Sequence, residues 1–165
     1  MSGLAPVIER LKGLYDKADD LWGEYVESVK AAVREWELSK LDLLSELSEL
    51  KAKLESDLKA LEELKLKVEL GLVDKEKAEK KIGELESEVE KLRGEVESLW
   101  VALEEFTLRS LTHSKRAGLP LGLTEEDVAS KQETLKKAFE RGVIGETAYN
   151  AIRSTLEQLL ELLHS

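Results

Sequence analysis

The stretch GLVDKEKAEKKI, Gly71 to Ile82, decides how this chain folds. A glycine stands where a run of regularly spaced apolar residues stops. Two apolar residues follow, and then an aspartate ahead of a new charged run. Glycine suits the left-handed position after a helix C-terminus, because it lacks the Cβ that is crowded there. Asp74 is a good N-cap, with Lys75, Glu76 and Lys77 opening the next helix. A link this short makes the flanking helices antiparallel neighbours. The phrase returns as GVIGETAYNAIR, Gly142 to Arg153, which predicts a second helical hairpin turning through Gly142 and Gly145.

Working back from Gly71, apolar residues recur every seven positions in two columns. One is Trp22, Val29, Trp36, Leu43, Leu50, Asp57, Leu64, and the other is Val26, Val33, Lys40, Leu47, Leu54, Leu61, Val68. Working forward, Ile82, Val89, Val96, Leu103 and Leu85, Leu92, Leu99, Phe106 repeat the pattern. This is the a/d seam of a coiled coil. A straight helix drifts ~20° per heptad, so so long a run in strict phase points to a partner helix. The tight turn selects a register in which Leu64 meets Ile82, Leu54 meets Leu92, Leu43 meets Leu103 and Trp36 lies beside Ser110. Lys40 and Asp57 interrupt the seam, as polar residues that fix register or partner number do. The same seams would serve a swapped dimer if Gly71 to Asp74 straightened into helix.

Beyond the second helix, AGLPLGL breaks the pattern. Thr124 then caps a third helix with Glu125, Glu126 and Asp127 in its first turn. A first helix from Pro6 to Leu70 would be roughly 95 Å long, and a second from Lys75 to Arg116 about two-thirds of that. The unpaired N-terminal part still carries Leu11, Leu14, Tyr15, Leu21 and Trp22. The expected fold is therefore all-α. A long antiparallel coiled-coil hairpin forms a stalk over 33–116 with its turn at 71–74. A linker loop covers 117–123. A three-helix head combines 4–32 with the C-terminal hairpin 124–164.

Composition narrows the function. Charged residues make up 36% and aromatics 5%, the diet of long helices. The net charge of −10 disfavours DNA phosphates and anionic lipid heads as partners. No cysteine is present, which excludes disulfides, thiolate zinc sites and thiol nucleophiles. Charges come too early for a signal peptide, and no uncharged run is long enough for a membrane span, so a cytoplasmic location is expected. The heavy use of Glu and Lys with few amides resembles a thermophile's composition.

The turn phrases resemble the short helical-hairpin module called SHOCT, matching around Gly71-Leu72-Val73-Asp74 and Gly142-Val143-Ile144. Gly145 stands where that pattern usually has an acidic or hydroxyl residue. The resemblance implies oligomerisation or docking. The alternation of long helices with such turns also resembles the coiled-coil part of the archaeal cell-division scaffold CdvA, without its leading β-barrel. That implies a scaffold.

No phosphate-binding loop, zinc spacing or nucleophile–base arrangement is present, so the chain is read as a non-enzyme without cofactor or metal. Candidate contacts fall in three groups. Trp100 sits beside the second seam and Leu44 and Leu58 beside the first, which widens the stalk stripe toward a homodimer with a four-helix stalk. Trp22 and Trp36, with Tyr25, are either head core or an aromatic groove for a peptide or ligand. Arg109, His113, Lys115 and Arg116 either suit the macrodipole at a helix C-terminus or form a basic patch for an acidic peptide, a nucleic acid or a membrane. The expected function is a scaffold or adaptor that self-associates and binds a further protein partner.

Overall fold

The computed structural model describes residues 3–165, and among these it is all-helical with no strand. α1 spans Ala5–Glu69, α2 Lys75–Arg116, α3 Glu125–Glu140 and α4 Glu146–His164. At 65 residues, α1 is about 97 Å long.

Both repeated phrases act as turn devices. Gly71 and Gly142 sit at φ +69° and +78°, which a side chain would strain. The amide after each glycine closes back on its helix. Leu72 N donates to Lys67 O at 3.0 Å and Val143 N to Ala138 O at 2.9 Å, the Schellman pattern that satisfies orphan carbonyls. The next helix then starts at once. Asp74 accepts from Glu76 N at 3.2 Å.

α1 folds back on α2 within the chain. Lys65 pairs with Glu86 at 3.3 Å, Lys51 lies 4.2 Å from the Trp100 ring centroid, and Trp36 lies 5.9 Å from Phe106. These pairs ascend in α1 as they descend in α2, so the helices are antiparallel. Leu47, Leu54 and Leu61 of α1 and Val89, Leu92, Val96 and Leu103 of α2 are buried along the line of contact. These seven residues stand in the two heptad columns, whereas Trp22 and Phe106 of the same columns stay 51% and 48% exposed. Lys40, a seam interruption, turns out to Glu37 at 3.0 Å, as a long stem allows.

The expected head does not form. α4 packs on α2 and α3 on α4, while residues 5–24 of α1 are exposed throughout. The C-terminal hairpin lies along the stalk and leaves 4–32 without helical cover from 124–164. Three causes act together. The loop after α2 closes abruptly, Leu119 N reaching Ser114 O at 2.8 Å, so the chain reverses against the helix it has just left. The back of α2 offers Trp100 and Leu111, both buried in the common core. Polar residues on that same face then hold the ends of α3 and α4.

Those polar contacts define the orientation. Arg93 Nε donates to Gly142 O at 3.0 Å, at the negative end of α3, and Arg93 also pairs with Glu90. One turn on, Glu97 Oε2 accepts from Gly145 N at 2.8 Å, at the positive end of α4. Lys115 Nζ donates to Leu162 O at 2.6 Å, at the other end of α4. Each charge suits the dipole end it meets. α4 therefore runs parallel to α2. Gly145 is the N-cap of α4 and brings no capping side chain of its own. A Cβ there would stand 3.3 Å from the Glu97 oxygen, which already does the capping.

Thr124 and Asp127 form the reciprocal cap of α3. Asp127 N donates to Thr124 Oγ1 at 3.2 Å, and Thr124 N to Asp127 Oδ2 at 2.9 Å. Thr124→Ala should cost about 1 kcal/mol in denaturant titrations. The backbone and side-chain bonds from Thr124 hold the Asp127 carboxyl below the usual 3.8. Its contribution is therefore present above 3.8 and is lost as pH falls through the lower folded value. Following hairpin unfolding through this range should show the Thr124→Ala chain less acid-sensitive than the parent.

Candidate functional site

The uncovered part of α1 is the candidate site. Leu4, Ile8, Leu11, Leu14, Tyr15, Leu21 and Trp22 are 46–68% exposed. They do not scatter. Leu4, Leu11, Ala18 and Tyr25 form a central column seven residues apart, flanked by Val7, Leu14, Leu21 on one side and Ile8, Tyr15, Trp22 on the other. The result is a continuous stripe three columns wide, which soluble surfaces rarely leave in water. Polar residues occupy the opposite face, including Glu9, Asp16 and Asp20.

Where α2 ends, the stripe runs into a cleft between α1 and α2. Its volume is about 520 Å³. Tyr25, Val29 and Trp36 form one wall and Phe106, Arg109 and His113 the other. Tyr25 and His113 share a hydrogen bond of 2.7 Å, and Trp22 and Tyr25 have ring centroids 5.7 Å apart. Trp36 faces this cleft with Phe106 as its ring neighbour, and Ser110 also lines it. The C-terminal hairpin occupies the other side of the stalk, where Lys51, Trp100 and Glu97 lie, so the cleft stays open.

The other expected contact residues fare differently. Trp100 is only 5% exposed and belongs to the core, not to a free surface. Burial lowers the Lys51 ammonium beside it from the ordinary lysine value, with Glu55 pulling the other way. Leu58 packs partly buried against the core, and Leu44 remains 43% exposed. On α2 the extra width of the stalk stripe is taken up by the chain's own hairpin, which packs on that helix, while Leu44 on α1 stays uncovered. Of the basic group, Lys115 is engaged with α4 and His113 with Tyr25, while Arg109 lines the cleft and Arg116 is exposed. They are not one convergent patch.

The heptad reading passes over Arg93, Glu97 and Glu104. Glu104 is buried, and its Oε1 accepts from Lys131 Nζ at 2.9 Å. Its other oxygen is buried with no donor among the described residues. The available signal was position, since these three share the face of α2 that carries Trp100 and Leu111.

Among the described residues, no group of three or more His, Cys, Asp or Glu is placed to hold a metal ion. No helix among them is long and apolar enough to cross a membrane. Comparison with protein-family models, curated proteins and solved structures returns no match.

Proposed function

We propose that the protein is a non-enzymatic coiled-coil scaffold or adaptor, which self-associates as a homodimer and binds protein partners. One observation carries this reading. The first twenty residues of α1 hold a heptad-spaced apolar face away from every other helix of the chain. A helix of that length gains little from its own hydrogen bonds in water and is stabilised by packing its apolar face. A face built on a seven-residue repeat is matched to another helix. The stalk, closed on itself and braced by the C-terminal hairpin, is the rigid arm that such a contact would position.

Sedimentation equilibrium across the micromolar range tests the self-association. The reading predicts a mass rising from 18.5 kDa to twice that value. A mass fixed at 18.5 kDa at every concentration would remove it.

The aromatic cleft favours a second reading, a binding module for an apolar peptide. Trp22→Ala with Trp36→Ala would then abolish capture of an amphipathic helical peptide by a chain whose stalk, although loosened where Trp36 packs on the core, is still folded. Retained capture would dismiss it.

A further inference from the structure

We infer that the partner for this face is a second copy of the same segment, running antiparallel, with the two-fold axis near residues 16 and 17. This rests on the self-association proposed above and specifies its surface, direction and register. Charge complementarity along α1 carries it.

Consider first the seam of Leu4, Ile8, Leu11, Tyr15, Ala18, Trp22 and Tyr25. One flank of this seam is apolar, with Val7, Leu14 and Leu21. The other is polar at Lys12 and Asp19. In a parallel pair, each flank meets the opposite flank of its partner, so Leu14 would lie against Asp19 and Val7 against Lys12. In an antiparallel pair, like flanks meet. The apolar flank then closes on itself and the charged flank meets its counterpart. The sequence is segregated for the second arrangement.

The charges also select the register. With the axis near residues 16 and 17, Leu11 of one copy lies level with Trp22 of the other, Tyr15 with Ala18, and Ile8 with Tyr25. Large side chains face small ones at the centre. Leu14 meets Leu21 on the apolar edge, and Lys12 meets Asp19 on the other, twice by symmetry. Farther out, Arg10 faces Glu24. Shifting one heptad one way sets Lys12 against Lys12, and shifting the other way sets Asp19 against Asp19, both repulsive. Lys17 meets its own copy near the axis, at the edge, where its stem lets the ammonium reach water.

This register is also continuous with the rest of the site. Leu4 of one copy comes level with Val29 of the other, at the mouth of the aromatic cleft. The apolar stripe and the cleft become one surface, covered from its exposed end. Because α1 is a single helix, the two stalks point in opposite directions.

The test uses the full chain, which has no cysteine of its own. A spin label on Lys30→Cys, an exposed position, should report a distance of about 40 Å between copies, from 1.5 Å per residue about the axis. A distance near ~15 Å would mean a parallel pair and overturn the inference while leaving self-association standing. Lys12→Asp should weaken the dimer about 10-fold, because two attractive pairs become repulsive. Adding Asp19→Lys to that chain should restore it to within about 3-fold. A dimer indifferent to both changes overturns the register. Leu11→Asp with Leu14→Asp should give a helical monomer, since both side chains are already exposed within one chain. A dimer that survives this pair is built on another face. A parent chain that is monomeric throughout overturns both the inference and the self-association beneath it, and leaves the stripe to a different protein.

Discussion

Replacing Trp100 by alanine should lower the stability of the single chain by about 4 kcal/mol, whereas Trp22→Ala, measured below the concentration at which copies associate, should change it by less than about 0.5 kcal/mol. The contrast follows from burial. Trp100 is 5% exposed and Trp22 51% exposed. Trp100 sits where α1, α2 and the C-terminal hairpin share a core, with the Lys51 ammonium over its ring. Its removal leaves a void that rigid helices cannot close, and it takes away the floor on which the hairpin rests. Hydrogen exchange should then show α3 and α4 amides opening well before those of the stalk. Equal losses from the two substitutions would mean that the N-terminal stripe is core after all.

Lys131→Met should cost roughly 3 kcal/mol, while Glu104→Leu together with Lys131→Met should come out close to neutral. Glu104 is buried and one of its oxygens has no donor among the described residues, so Lys131 is the charge that makes its burial tolerable. Removing Lys131 strands the carboxylate. Lys131 itself retains 32% side-chain exposure, so Glu104→Leu alone frees it to turn to water and should cost less than Lys131→Met. A double-mutant cycle in chemical denaturation reads both the coupling and the asymmetry. A small, symmetric cost would mean that the pair is as loose as an ordinary surface bridge.

The turns and the seam were legible in the sequence because they rest on local chemistry. Gly71, Asp74, Gly142 and Thr124 each do what their residue type does at a helix end, and Leu47, Leu54, Leu92 and Val96 are buried as their spacing requires. The placement of the C-terminal hairpin was not legible. Exposed apolar residues at the start of α1 needed a cover, and the hairpin was of a size to supply it. What decided the outcome was the back of α2, where Arg93, Glu97 and Glu104 interleave with Trp100 and Leu111. Charged residues at those positions read as a solvated helix face. Here two of them are caps for the ends of other helices and one is half of a buried ion pair. A tertiary cap of this kind has no sequence signature in either helix alone. Gly145 shows the reverse side: an N-cap without a side chain, it leaves the capping of α4 to Glu97 of another helix.

The most direct test of the central claim is small-angle X-ray scattering over a concentration series, which gives mass and longest dimension together. Association through the start of α1 predicts twice 18.5 kDa with a longest dimension of about 160 Å, two arms of α1 overlapping only at their free ends. Twice the mass with a dimension still near ~100 Å would mean hairpins lying side by side. That result, or a mass of 18.5 kDa at every concentration, would contradict the claim.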